Sequence, residues 1–257
     1  MELEKKFAVL IDSDNISSKY INIIFDEISK EGIATYKRIY GDWTKGDSKW
    51  KKVLLEYSIN PIQQFSYTKG KNATDSSMII DAMDILYTSG VDGFCLISSD
   101  SDFTRLASRL REAGKTIIGM GESKTPKAFI SACDKFKFLD KLLCAAQNED
   151  NCPGDNQELI KTQQLNHISE IQPLIKAIKT IVNEASDESG WLNVGTLGSI
   201  LVKRFPEFDV RNYGFSKMTA FLESINTVET RRVDKGRNGA QIVYVKNKNK
   251  KKDNIVL

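Results

Sequence analysis

The segment "CLISSDSDF" at residues 95–103 determines how the first half of the chain is interpreted. It ends an apolar run that begins at residue 93 and suits a buried β-strand, and a helical pattern follows from residue 102. One Ser or Asp at such a junction is an ordinary helix cap, because its side chain accepts a hydrogen bond from a free backbone N–H group. Ser98, Ser99, Asp100 and Asp102 are more polar groups than one cap requires, so a binding site is the second interpretation.

The same succession of strand and helix patterns extends through the first half of the chain. Buried apolar runs or strand-like patterns predict strands over residues 6–12, 34–43, 62–67, 93–98 and 115–121. Helical spacing predicts helices over residues 17–32, 49–60, 74–90, 102–114 and 125–136. Strands that alternate with helices form a mostly parallel sheet covered on both faces, so the predicted fold class is α/β with three layers.

A second pattern follows a polar stretch that contains Pro-Gly. Residues 145–167 are predicted to be a linker, because they show no apolar period. Helical patterns then cover residues 168–186, part of 191–205 and 212–225, and a hairpin is predicted around "KGRNG". Small helices followed by a hairpin indicate a winged-helix-like C-terminal domain. Residues 248–257 form a basic tail.

Composition narrows the function classes. From residue 166 onward 15 Lys and Arg face 10 Asp and Glu, a net charge of +5, and the preceding residues carry 22 against 24, a net charge of −2. A basic second half can attract a polyanion. No apolar run is long enough for a membrane span, and four scattered cysteines indicate a reducing, cytoplasmic location.

Acidic residues follow three separate elements. Asp12, Asp14 and Asn15 end the first predicted strand, Asp75 begins a helix after the third, and Asp100 and Asp102 follow the fourth. The carboxyl ends of parallel strands share one edge of the sheet, where ligands bind in such folds. Gathered carboxylates repel each other, and they favour a hard cation such as Mg²⁺ or Mn²⁺.

Residue types and motifs that the sequence lacks exclude several other reaction chemistries. His167 is the single histidine, which rules out a histidine-pair ribonuclease and makes a zinc hydrolase with several His ligands implausible. The chain has neither a G-x-x-x-x-G-K-[ST] loop nor G-x-G-x-x-G. Two Asp-based chemistries stay open, a metal-dependent nuclease and a phosphatase of the haloacid-dehalogenase type, whose opening D-x-D pattern resembles Asp12-Ser13-Asp14.

Several blocks in order carry a family resemblance. "AVLIDSDNI", "KNATDSSMIIDAMDILY" and "GFCLISSDSDFTRLASRLREAGKTIIGMG" resemble the NYN domain, a LabA-like branch of the PIN-like nucleases. "GWLNVGTLGSILVKRFPEFDVRNYGFSKMTAFLES" resembles a LOTUS (OST-HTH) domain. The expected domains are therefore an NYN domain over 1–144 and a LOTUS domain over 168–247.

The NYN resemblance implies a PIN-like α/β sandwich that cleaves RNA with Mg²⁺ or Mn²⁺. By motif, the implied metal ligands are Asp12, Asp75, Asp100 and Asp102, and Asn15 completes the implied catalytic set. Asp14, Ser99 and Asp81 are second-tier candidates, for which a cap or a surface position is the alternative. Lys69 and Lys71 are candidate phosphate contacts.

The LOTUS resemblance implies RNA binding, with structured or G-rich RNA as one class of ligand, and in some relatives protein binding instead. The candidate phosphate-binding residues are Arg211, Lys217, Arg231, Arg232 and Arg237. Tyr213 or Phe215 is a candidate for base stacking, whereas Trp191, Phe205, Phe208 and Phe221 are expected in the core. The leading hypothesis is a metal-dependent endoribonuclease with an RNA-binding domain, and the alternative is an RNA-binding adaptor with a silent NYN domain.

Overall fold

The structure is a computed structural model, and it describes residues 4–44, 49–64, 73–147, 157–234 and 241–248. The described residues separate into two compact units. The first contains a six-stranded sheet and the second a three-stranded sheet.

The first unit alternates strands and helices as the sequence predicts. Its strands are β1 (Lys6–Asp12), β2 (Ile33–Gly41), β3 (Asn60–Gln63), β4 (Gly93–Ile97), β5 (Thr116–Gly121) and β6 (Lys135–Phe138). Its helices are α1 (Ile21–Ser29), α2 (Lys49–Glu56), α3 (Ala73–Thr88), α4 (Thr104–Glu112), α5 (Lys127–Ala132) and α6 (Leu139–Gln147). Short 3₁₀ turns, Ser18–Tyr20 and Ser101–Phe103, precede α1 and α4.

The six strands are all parallel and lie in the order β3-β2-β1-β4-β5-β6. The predicted α/β class with a mostly parallel sheet is confirmed. The chain order reverses between β1 and β4, which are hydrogen-bonded neighbours. Such a switch point leaves a crevice at the carboxyl ends of the two strands, the usual ligand position in open α/β sheets.

The pleat of β1 assigns its side chains to two layers. Phe7, Val9 and Ile11 join a cluster with buried residues of α1, α2 and α6. Ala8 and Leu10 join a second cluster with buried residues of α3, α4 and α5. Because side chains alternate along a strand, Asp12 continues the second set. It therefore points to the layer that contains α3 and α4.

The prediction of a helix over residues 125–136 is wrong at its C-terminal end. Helix α5 ends at Ala132, and β6 follows and pairs in parallel with β5. Phe136 and Phe138 are buried and alternate with more exposed lysines, which is strand periodicity. Four residues give a weak pattern, and the apolar residues of α5 before them extend the helical spacing.

The second unit contains α7 (Gln157–Ala185), β7 (Leu192–Asn193), α8 (Val194–Arg204), α9 (Met218–Ser224), β8 (Val228–Asp234) and β9 (Gln241–Asn247). Its sheet is antiparallel in the order β7-β9-β8, and the predicted hairpin is β8–β9. The predicted helix over 212–225 is instead a 3₁₀ turn, Val210–Tyr213, and α9. Gly214 separates them because its φ of 81° suits glycine.

Helix α7 begins inside the stretch predicted as a linker, since Gln157 lies before residue 168. Gln, Glu, Leu and Lys are good helix formers, so these residues can extend a helix without an apolar period. Within the described part of the chain, no helix has both the length and the apolar character needed to cross a membrane. The cytoplasmic location and the domain boundaries stay predictions.

Candidate active site

Asp12 ends β1 as a fully buried carboxylate with 0% exposure. Its Oδ1 accepts hydrogen bonds from the backbone N–H groups of Asp14 (3.1 Å) and Asn15 (3.3 Å). Its Oδ2 accepts from Asn15 Nδ2 (2.6 Å) and Ser98 Oγ (2.8 Å). Burial raises the pKa of Asp12, while the bonds from Asn15 and Ser98 oppose that rise. Each oxygen of this fixed carboxylate therefore accepts two hydrogen bonds.

Ser98 connects β1 to the loop after β4. Its Oγ donates to Asp12 and accepts from the backbone N–H of Asp100 (3.0 Å). The residue is fully buried, and it continues the alternation of Phe94 and Leu96 towards the layer of α3 and α4. Ser98 thereby fixes the distance between the first and fourth strand ends, and it was not among the predicted site residues.

Three further acids meet beside this pair of strand ends. Asp100 caps the 3₁₀ turn, because its Oδ1 accepts from the backbone N–H of Asp102 (2.9 Å). Asp75 comes from the first turn of α3. One carboxylate oxygen from each of Asp75, Asp100 and Asp102 lies within 4.8 Å of the other two. The capping and clustering interpretations of Asp100 therefore both hold. Asp12 is not part of this triad.

The four acids interact electrostatically. The pKa of Asp75 is raised to about 6, chiefly by burial and then by the negative charges of Asp12, Asp100 and Asp102. Two carboxylates 4.8 Å apart repel by about 3.5 kcal/mol at an effective dielectric constant near 20. A proton or a cation would relieve this repulsion. Three carboxylates without a nitrogen or sulfur donor are a ligand set that fits Mg²⁺ or Mn²⁺.

The other predicted residues near the strand ends support the loops. Asn15 holds Asp12 through both its backbone and its side-chain amide. Ser99 is buried, and its Oγ accepts from the backbone N–H of Glu122 (2.9 Å), which fastens the loop to the end of β5. Asp14 is exposed, and its charge adds to the rise in the pKa of Asp75.

Asp81 has a different environment from the clustered acids. Its Oδ2 pairs with Arg38 Nη1 (2.6 Å) and accepts from Tyr40 Oη (2.7 Å). Both partners belong to β2, so Asp81 fastens α3 to the sheet. The triad that the structure brings together does not include it. Lys69 and Lys71 lie outside the described residues.

Two of the predicted phosphate-binding arginines already pair with acids. Arg211 makes a bidentate contact with Asp209, in which Nε donates to Oδ1 (3.0 Å) and Nη2 donates to Oδ2 (2.7 Å). Arg232 Nη2 pairs with Glu223 Oε1 at 3.1 Å. Lys217 is exposed immediately before α9, and Arg237 lies outside the described residues. The paired arginines offer a phosphate less net charge than the sequence suggests.

The aromatic residues of the second unit differ from the expectation. Tyr213 and Phe215 are partly buried and pack against the buried Phe221, with ring centroids 5.4 and 5.5 Å away. Trp191 was expected in the core but is only partly buried, and Arg231 lies 4.6 Å above its ring. Trp191 lies immediately before β7, whose first residue, Leu192, is buried, so alternation along the extended chain predicts that Trp191 faces the other way.

Two family models match separate regions of the chain. The family model for the NYN domain matches residues 6–140, and that for the OST-HTH/LOTUS domain matches residues 169–239. The chain is 29% identical to the uncharacterized protein MJ0482 of Methanocaldococcus jannaschii over 122 residues, and this matched region is 46% of the chain. The match covers 48% of that protein, so the chain spans about half the length of this curated relative.

A solved structure, that of the protein of unknown function VPA0982 from Vibrio parahaemolyticus, is 19% identical, with a TM-score of 0.45. The similarity covers 53% of this chain and 93% of that one. The NYN match alone covers more than half of the residues. The chain therefore belongs to the NYN domain family and carries an OST-HTH/LOTUS domain after its NYN domain.

Proposed function

We propose that this protein is a metal-dependent endoribonuclease that hydrolyses RNA phosphodiester bonds, and that its OST-HTH/LOTUS domain binds the RNA. The observation that carries the proposal is the approach of Asp75, Asp100 and Asp102 to within 4.8 Å of one another. They meet beside Asp12, at the carboxyl ends of β1 and β4, where an open α/β sheet binds its ligand. The NYN family and its resemblance to PIN-like nucleases support the same chemistry.

In the proposed site Asp75, Asp100 and Asp102 hold Mg²⁺ or Mn²⁺ and orient the attacking water. The ion, when bound, activates that water and neutralises charge on the phosphate. Asp12 supplies a fixed negative charge behind the triad, and through Ser98 it positions the loop that carries Asp100. It can become a ligand only by giving up a hydrogen bond from Asn15 or Ser98, so we assign it mainly a positioning role.

A phosphatase of the haloacid-dehalogenase type fits the site less well. Its nucleophile would be the first Asp of the D-x-D pattern, which here is Asp12. That carboxylate is fully buried and accepts four hydrogen bonds, so it cannot approach a phosphate in line.

The test is cleavage of an end-labelled single-stranded RNA in MnCl₂ by the wild type, Asp75→Asn and Asp100→Asn. Removing one ligand should slow cleavage by more than about a hundredfold, since charge stabilisation by a metal contributes several kcal/mol. Asp84→Asn is the matched control, because Asp84 is an exposed acid on α3, the helix of Asp75. We expect its activity to stay within about twofold of the wild type.

Each of the other outcomes would support a different function. Cleavage that survives in both Asp75→Asn and Asp100→Asn would refute the site. RNA binding without cleavage by the wild type would favour the adaptor with a silent NYN domain. Turnover of p-nitrophenyl phosphate that depends on Asp12 would restore the phosphatase.

A further inference from the structure

The three-stranded sheet of the second unit has two chemically different faces. Leu192 of β7 pairs with Val245 of β9, and Thr230 of β8 pairs with the same residue. Leu192 and Val245 are buried, as is Val228 two residues before Thr230. These residues form the inner face. The next row in the register, Asn193, Tyr244 and Arg231, therefore lies on the opposite, outer face.

The outer face carries an aromatic and cationic group that we call the Trp191 surface, made of Trp191, Arg231, Tyr244 and Lys246. Arg231 is exposed and lies with its guanidinium carbon 4.6 Å from the centre of the Trp191 ring. Lys246 Nζ lies 5.8 Å from the same ring centre. Tyr244 is the direct cross-strand partner of Arg231.

Local hydrogen bonds hold Trp191 in place. Asp187 Oδ1 accepts from the backbone N–H groups of Trp191 and Ser189, both at 2.9 Å. Lys246 Nζ donates to the carbonyl of Ser189 at 2.9 Å, which ties the same turn to β9. The backbone that carries the ring is therefore fixed, and Arg231 and Lys246 contact the ring itself, which lowers the entropic cost of binding on it.

The charge of this face differs from that around the other arginines. Arg211 and Arg232 each pair with a carboxylate, whereas Arg231 lies over an aromatic ring. Two acids in the described part of the chain lie near this surface. Glu229 is the cross-strand partner of Lys246. Hydrogen bonds from Ser189 and Trp191 lower the pKa of Asp187, and the positive charge of Arg231 adds to that shift. A guanidinium over an indole ring keeps its positive charge and offers a second planar group beside the aromatic one.

We infer that the Trp191 surface is a stacking platform for single-stranded RNA, with a base on the Trp191–Arg231 pair and phosphates near Arg231 and Lys246. Unpaired bases stack on aromatic rings and on guanidinium planes, while the backbone follows positive charge. A duplex hides its base faces, so the platform favours unpaired RNA. This inference rests on the proposed RNA-binding function of the second unit and names the residues that perform it.

The neighbouring arginines of β8 provide a matched test. Arg231→Ala and Arg232→Ala remove the same charge from adjacent positions on opposite faces of the sheet. Affinity of the full chain for a labelled single-stranded 12-mer is measured by fluorescence anisotropy in EDTA, which prevents metal-dependent cleavage. We expect Arg231→Ala to weaken binding about tenfold, the lower range for one stacked base, and Arg232→Ala to change it less than about twofold.

Trp191 gives a second, independent readout. Trp191→Leu should weaken binding about tenfold and Trp191→Phe should restore most of it, because the phenyl ring still stacks. RNA should also quench the fluorescence of the wild type more than that of Trp191→Phe. Thermal unfolding of each variant shows whether the loss of binding reflects loss of fold, and the Arg231→Ala comparison does not depend on changing Trp191.

Three results would overturn the inference. Equal weakening by Arg231→Ala and Arg232→Ala would mean that charge alone accounts for binding. Tighter binding of a duplex with the same sequence would exclude a stacking platform. Unchanged RNA affinity in both Trp191→Leu and Arg231→Ala would exclude this surface from RNA binding. Metal-dependent cleavage that is lost in Asp75→Asn would still support the proposed function in all three cases.

Discussion

Replacing Asp75 by Asn should stabilise the metal-free protein and at the same time abolish its response to divalent cations. The pKa of Asp75 in the folded protein is about 6 against an ordinary value of 3.8. Stability is therefore lost as the pH rises from 3.8 to about 6, and the loss is complete above that pH, whereas Asn at this position does not incur it. At 4.8 Å each carboxylate neighbour repels by about 3.5 kcal/mol at a dielectric constant near 20, and by about 0.9 kcal/mol in water.

The solvent exposure of the cluster selects the lower part of this range. Asp100 is partly buried and Asp102 is exposed, so water screens both pairs. We expect Asp75→Asn to gain about 1–2 kcal/mol at pH 7.5 in EDTA. For a chain of this size that gain raises Tm by roughly 2–8 °C.

Thermal unfolding followed by circular dichroism, in EDTA and in MnCl₂, measures both effects. At a Mn²⁺ concentration about a hundred times Kd the wild type should gain about 2.7 kcal/mol. Asp75→Asn should gain little, and Asp84→Asn, with the same charge change on the same helix, should behave as the wild type does. A lower Tm of Asp75→Asn in EDTA, or a wild-type response of this variant to Mn²⁺, would refute the repulsion that the structure implies.

Three further changes test the support of the site. Mn²⁺ should bind about tenfold more weakly at pH 5 than at pH 7 in isothermal titration calorimetry, because Asp75 is mostly protonated below its pKa of about 6; equal affinities would contradict this. Ser98→Ala removes the hydroxyl between Asp12 and Asp100, so urea unfolding should show a loss of about 1–3 kcal/mol and RNA cleavage should slow. Gly121→Ala places a methyl group 2.6 Å from the Ser98 carbonyl oxygen and should cost about 1–3 kcal/mol, whereas an unchanged urea midpoint would disprove this crowding.

The sequence predicts the layers of the first unit because its central strands β1, β4 and β5 are nearly continuous apolar runs. Strands buried on both faces, such as β1 and β4, show no alternation, and a parallel sheet is the arrangement that requires this. Strand β6 is not predicted because it has only four residues and follows the apolar helix α5 without a Gly or Pro between them. Its position depends on pairing with β5, which is a tertiary contact.

The acids of the site follow from the same logic, since strand ends of a parallel sheet share an edge. The sequence does not predict that Asp12 is buried and fully hydrogen-bonded while Asp75, Asp100 and Asp102 form the cluster. That difference comes from hydrogen bonds to both oxygens of Asp12, from Ser98 and the Asn15 side chain to Oδ2 and from backbone N–H groups to Oδ1. The charges of the second unit are less predictable, because Arg232 and Glu223 belong to different elements that meet only in the fold.

The uneven charge of the chain implies that its halves have opposite effects on an RNA strand. The residues before 166 carry a net charge of −2 and those from 166 onward carry +5, and the acid cluster adds local repulsion at the proposed site. RNA binding in EDTA should therefore depend on the second half. The logarithm of the binding constant should fall with the logarithm of the salt concentration, with a slope of about −0.7 for each phosphate contacted.

Mn²⁺ should raise the affinity of the wild type for RNA by cancelling the repulsion at the triad. It should raise that of Asp75→Asn much less, because a ligand is missing and part of the repulsion is already gone. Anisotropy titrations over a salt series, with and without MnCl₂, measure both quantities. Equal gains with Mn²⁺ in the two proteins would mean that the ion acts on the RNA and not at the triad.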